Sequence, residues 1–268
     1  MDAVMVTALL GALIGLVLAF TGAGGGILSV PLLVFGLHLS VQQAAPIGLS
    51  AVFAASLLGA VLGLREGIVR YRAAALMGIA GMALAPAGFF LAQNLPARPL
   101  TVAFALVMFY TAWRILSSSQ KTLESRASAP CVVSRVDQRL TWTRPCARVL
   151  AGSGMVSGLL SGLLGVGGGF VIVPALSRYT DLPIRSVQAT SLAVMALVSL
   201  SGVTSAAVHG SLTWGIVLPF AAGAVAALLA GRALASKLQP KHLQQAFAWF
   251  CVAVALLMLA RAANLLPA

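Results

Sequence analysis

Long apolar runs separated by short polar stretches set the pattern of this chain. Runs at 4–20, 44–64, 73–93 and 99–116 approach the span of about 20 residues that a helix needs to cross a bilayer core of about 30 Å. A second set, at 149–164, 187–208, 214–235 and 243–262, follows the same plan. After the first run of each set comes a short apolar segment, 27–37 and 170–176, interrupted by Pro31 or Pro174. Eleven helical residues cover only about 16 Å. The pattern predicts an all-α integral membrane protein with about eight full spans plus two short broken or re-entrant segments.

Each short segment follows a glycine cluster, Gly22-Ala23-Gly24-Gly25-Gly26 in the first set and Gly165-Val166-Gly167-Gly168-Gly169 in the second. The two clusters lie 143 positions apart, and that offset holds without a gap from about Gly11 to Leu116 against Gly154 to Leu259. Gly15, Leu33, Leu49, Ser56, Gly59 and Phe104 are among the residues that meet their own type across it. A period this long repeats whole helical domains rather than the units of a solenoid. Two homologous halves, 1–116 and 149–268, flank a Ser-rich basic linker at 117–148.

Composition strengthens this reading. The chain is 60% hydrophobic and 8% charged, outside the range of soluble domains. A net charge of +12 would suggest nucleic acid in a soluble protein, but in a membrane protein it reports cytoplasmic loops, and no nucleic-acid partner is expected. If the short segments cross, the halves are inverted and 15 of the 17 Lys and Arg share one face, leaving Arg98 and Arg261 opposite. If they turn back, the halves are parallel and the split is about 11 to 6. The charge bias favours inverted repeats with the linker in the cytoplasm. The start, Met1-Asp2-Ala3-Val4, lacks the basic region of a signal peptide, so the first run is expected to remain as a span.

Backbone that leaves the helix inside a membrane must be surrounded by protein or line a cavity. Paired breaks at equivalent positions of two halves mark the central site of a transporter. Gly24, Gly25, Gly26 and Pro31, with Gly167, Gly168, Gly169 and Pro174, are therefore candidate substrate-binding positions, where the amides of a following helix can meet an anion. The alternative is that these glycines only allow close helix packing; two copies in register favour the break. Gly48 and Ser50, with Thr190 and Ser191 in the matching stretch, are the next candidates, since hydroxyls and amides bind oxyanion oxygens. Thr190 and Ser191 could equally bond their own helix.

Missing chemistry narrows the classes. All five acidic residues fall in predicted loops or ends, which disfavours a carboxylate relay and leaves a cation without a counter-charge. Cys131, Cys146 and Cys251 have no metal-ligand spacing and cannot all pair; two are read in a loop and one in a helix. No catalytic set such as GxSxG or HExxH is present. Neither an enzyme nor a metal or cofactor is expected. A small anionic substrate fits best, driven outward by the inside-negative potential; the alternatives are a passive anion channel, an uptake permease for another organic anion, or a non-transport assembly factor.

The glycine cluster with its following proline in both halves, Ala189-Thr190-Ser191-Leu192, and the central basic loop together resemble the TauE/SafE sulfite exporter family, formerly domain of unknown function 81. The resemblance covers nearly the whole chain. It implies a multi-pass permease of the bacterial cytoplasmic membrane that moves sulfite, sulfonates or related small anions. The first half departs from the pattern, carrying Ile47 and Gly48 where the second has Thr190 and Ser191. The oligomeric state is left open by the sequence.

Overall fold

The structure is a computed structural model that describes residues 3–22, 25–117, 131, 143–210, 212–235 and 240–262. These form ten helices: α1 (Ala3–Thr21), α2 (Gly25–Gly36), α3 (Val41–Arg65), α4 (Tyr71–Asn94), α5 (Ala97–Ser117), α6 (Arg144–Leu164), α7 (Gly169–Tyr179), α8 (Ile184–Val208), α9 (Trp214–Ala235) and α10 (Pro240–Ala262). Seven of them are long and apolar enough to cross a membrane: α1, α3, α4, α5, α6, α8 and α9. In α10 the apolar stretch found among the described residues is Ala248–Ala260. The outward surface carries large apolar side chains such as Leu9, Ile79, Phe90, Leu106 and Trp249, as contact with lipid requires, while Phe104 and Phe220 are fully buried.

Local chemistry sets the helix ends. Ser40 and Gln43 form a reciprocal capping box at the start of α3, each side chain accepting from the other's backbone N–H. Thr143 Oγ1 accepts from Cys146 N at 3.3 Å, with Pro145 in the first turn, so α6 begins before the apolar run at 149. Arg144 and Arg148, which the sequence reading assigned to the linker, therefore belong to this helix. Cys146 lies there too rather than in a loop, joined by a disulfide to Cys131. The Cys131 N–H also donates to the Tyr179 carbonyl at 3.2 Å, which ties it to the end of α7. The rest of the linker, 118–130 and 132–142, lies outside the described residues.

Contacts fix the direction of each helix. Gly11 and Gly15 face Phe220 and Ala224, so α1 runs parallel to α9; Gly154, Gly158 and Gly162 face Met77, Gly81 and Ala85, so α6 runs parallel to α4. α3 and α8 are antiparallel, with Gly59 against Leu192 and Gly202 against Leu49. The short α2 runs back along α1, starting beside Ile14 and Leu18 and ending beside Leu10. In the same way α7 starts beside Ser157 and ends, through Cys131, near the first turn of α6. Each short helix thus begins in the middle of the bundle and returns toward the end where the preceding long helix started.

α1 and α6 consequently run in opposite directions, as do α3 and α8. Arg65, Arg70, Arg72, Arg144, Arg178, Arg185 and Arg232 gather at one end of the bundle, the basic end, while Arg98 starts α5 at the other. At the basic end Arg232 pairs with Glu66 at 2.7 Å and donates to the Gly59 carbonyl, which locks α9 to the end of α3. Tyr71 and Trp214, matched across the 143-residue offset, are both exposed at helix starts, one at each end. Interfacial aromatics favour such positions, one at each surface.

Candidate functional site

The two interruptions meet at the centre. Gly26, at the start of α2, lies against the Val166 carbonyl and Val52; Gly167 lies against the same Val52 from the other side. Gly48 on α3 touches Ser29 and faces the Gly165 carbonyl, while Gly165 rests on Ala45. Gly25, Gly26 and residues 165–169 are all buried. Gly25, Gly26, Gly48 and Gly167 are thereby brought together, with Gly168 and Gly169 adjoining in sequence. Gly24 lies outside the described residues.

The second break is the better defined. Gly165 caps α6 with φ +72°, its N–H on the Ser161 carbonyl at 2.8 Å, and Gly167 and Gly168 continue in the left-handed region at +74° and +70°. This is backbone that L side chains rarely adopt. Gly168 then starts α7 as its N-cap without a side-chain cap, so the first N–H groups of that helix carry a partial positive charge toward the bundle centre. α2 points its own N-terminus into the same region from the opposite end. Pro31 and Pro174 sit inside the two short helices and release the carbonyls of Ile27 and Phe170 from their helical bonds.

The hydroxyls proposed from sequence have protein partners. Thr190 Oγ1 accepts from Arg70 N at 3.0 Å, fastening α8 to the α3–α4 loop. Ser191 Oγ donates to the Gly22 carbonyl at 3.4 Å and Gln188 Nε2 to the Phe20 carbonyl at 3.1 Å, so the start of α8 holds the end of α1. Ser50 Oγ donates back to the Pro46 carbonyl at 2.9 Å. Gln42 Nε2 donates to the Leu95 carbonyl at 3.0 Å and Gln43 completes the α3 cap. Two hydroxyls missed by the sequence reading, Ser161 and Ser199, are completely buried with no partner among the described residues. Ser199 matches Ser56 across the offset, the one sequence signal that could have drawn attention to it.

The described residues contain no cluster of His, Cys, Asp or Glu able to hold a metal ion, and none of the acidic residues among them lies inside a helix. Two half-helices with their N-termini turned to a buried centre, framed by full spans, define a membrane transport protein. The chain belongs to the family described as "Sulfite exporter TauE/SafE", whose model matches residues 7–258. It is 29% identical over 255 residues to a "probable membrane transporter protein" of Xylella fastidiosa (strain Temecula1), covering 94% of this chain and 93% of that one. It is 25% identical over 247 residues to the "probable membrane transporter protein YunE" of Bacillus subtilis (strain 168), covering 88% and 90%. A protein of the same description from Methanocaldococcus jannaschii is 25% identical over 203 residues, covering 74% of this chain and 70% of that one. No solved structure matches the chain. The protein is a multi-pass transporter of the cytoplasmic membrane, and its family is one of transporters rather than enzymes.

Proposed function

We propose that the protein exports a small anion of the sulfite or organosulfonate type. The observation that carries this reading is the uncapped N-terminus of α7 at the buried centre, opposed by the N-terminus of α2. Backbone amides and a helix dipole favour negative charge, and no basic side chain is needed at the centre to hold it. An inside-negative potential contributes about 2.3 kcal/mol per charge per 100 mV toward export. In proteoliposomes, sulfite is expected to move toward the positive side under an imposed potential alone, with sulfoacetate competing and sulfate and acetate tested beside it. Flux that requires a proton or sodium gradient would overturn uncoupled export, and ohmic conductance would replace the carrier with a channel.

The basic end is read as the cytoplasmic one, with the linker on that side. Cys131 and Cys146 then face a reducing compartment, in which disulfides are rare. Both thiols are expected to be alkylated when intact cells are quenched in acid and denatured without reductant, and the pair to oxidise once the protein is isolated in air. A disulfide already present in the quenched cells would reverse the orientation.

A further inference from the structure

The two breaks share a backbone plan but differ in their lining. In the first, the positions of α1 that face the start of α2 are Ile14 and Leu18, both fully buried. On α3, Ser56 Oγ donates to the Phe53 carbonyl at 3.2 Å. In the second, the equivalent positions on α6 are Ser157 and Ser161. Ser157 Oγ donates to the Gly168 carbonyl at 2.9 Å, which shows that this face of α6 looks onto the start of α7. Ser161 lies one turn further along the same face.

Ser199 approaches from the other side, on α8. A Cβ added at Gly167 would stand 3.1 Å from its Oγ. Ser161 and Ser199 are each 0% exposed, and neither hydroxyl has a partner among the described residues. A buried hydroxyl left unpaired is destabilising, so such groups call for an explanation. Here Ser199 stands beside Gly167 and Ser161 lies one turn beyond Ser157 on the face of α6 turned to the start of α7, an 11-residue helix that no side chain caps. The equivalent places in the first half are apolar or already bonded.

We propose that the substrate seat is asymmetric: the hydroxyls of Ser161 and Ser199, with the first N–H groups of α7, bind a compact oxoanion in the second break. The first break is its fixed counterpart, held by Ser191 and Gln188 through the end of α1. This rests on the anion reading above and assigns the donors. The ligand class follows from the donor set. Neutral hydroxyls and amides reward a small group with several acceptor oxygens, as in sulfite or a sulfonate head, and they form charge-assisted hydrogen bonds with it. With no salt bridge to break, such a seat can also release what it binds.

The test is titration of purified full-length protein with sodium sulfite, Cys131 and Cys146 being kept reduced so that sulfite has no disulfide to cleave, together with thermal unfolding with and without sulfite. Ser161→Ala and Ser199→Ala are each expected to weaken binding about tenfold, the loss of one hydrogen bond to a charged group. Ser56→Ala is expected to bind as the unaltered protein does. Without sulfite, the Ser161 and Ser199 variants should unfold at the original temperature or higher, because each removes an unpaired buried hydroxyl; the sulfite-induced upward shift should shrink. Unchanged affinity in the double variant would overturn the seat while leaving the anion reading in place. Equal losses in Ser56→Ala would overturn the asymmetry, and a fall in unligated stability that tracks the affinity loss would make the serines structural. If the unaltered protein binds neither sulfite nor sulfoacetate, the anion reading falls and the seat falls with it.

Discussion

An alanine at Gly168 is expected to abolish transport while leaving the protein folded and inserted. Gly168 holds φ +70°, a conformation that costs an L residue about 1–2 kcal/mol. A Cβ there would also run into the Ser157 hydroxyl and stand 2.7 Å from the Ser157 carbonyl oxygen. Ser157 cannot retreat, because the next turns of α6 lie against the backbone of α4. The start of α7 must move instead, and with it the amides that face the centre. A shift of about 1 Å in a positioned site costs on the order of 100-fold in rate. Sulfite flux in proteoliposomes measures the effect, with gel filtration in detergent to show that the variant is still monodisperse. Flux at the original rate in a folded variant would remove the second break from the transport path.

The largest loss of stability is expected from Gly158→Leu. Its Cβ would collide with the Gly81 carbonyl, and the carbonyl carbon would be only 2.6 Å away. Small residues let membrane helices approach backbone to backbone, and a leucine here has no space to enter. The cost should reach the range above about 4 kcal/mol that marks overpacking at a fixed contact, seen as loss of monodisperse protein or a large drop in the unfolding midpoint. Gly152→Leu on the same helix is the comparison, since a Cβ at Gly152 meets nothing within 4 Å. If both variants are equally stable, the close approach of α4 and α6 does not hold the fold.

Helix number and the two breaks were legible because bilayer thickness acts directly on apolar run length, and because glycine clusters followed by proline have few other uses inside a membrane. Helix direction was not legible from length alone. A short segment such as 27–37 can re-enter or traverse, and only the contacts of Gly25 and Gly36 along α1 reveal that it runs back to the end where α1 began, so that α1 and α6 point in opposite directions. The start of α6 was missed because Arg144 and Arg148 look like loop residues until the Thr143 cap is seen to carry the helix past them.

The hydroxyls show a subtler limit. Thr190 and Ser191 lie near the start of α8, but their partners, Arg70 N and the Gly22 carbonyl, lie 120 and 169 residues away, and no local pattern reports them. Ser161 faces Leu18 across the internal offset, so a comparison that rewards matching positions passes over it. Polarity confined to one half is visible only after both halves are folded against each other.

The glycine contacts also divide the molecule mechanically. Between α1 and α9, and between α4 and α6, a Cβ would strike main-chain atoms of the partner, as at Gly15 with Ala224 and Gly162 with Ala85. Backbones in such contact cannot slide without losing their fit, so each pair behaves as a stiff beam. Where α3 and α4 meet α8, the glycines face leucine side chains instead, Gly59 against Leu192, Gly202 against Leu49 and Gly78 against Leu197. A leucine can change rotamer where a carbonyl cannot yield. These leucine contacts are therefore where the stiff pairs can shift against each other at least cost, and they all involve α8, the helix that carries Ser199 and also holds the end of α1 through Ser191.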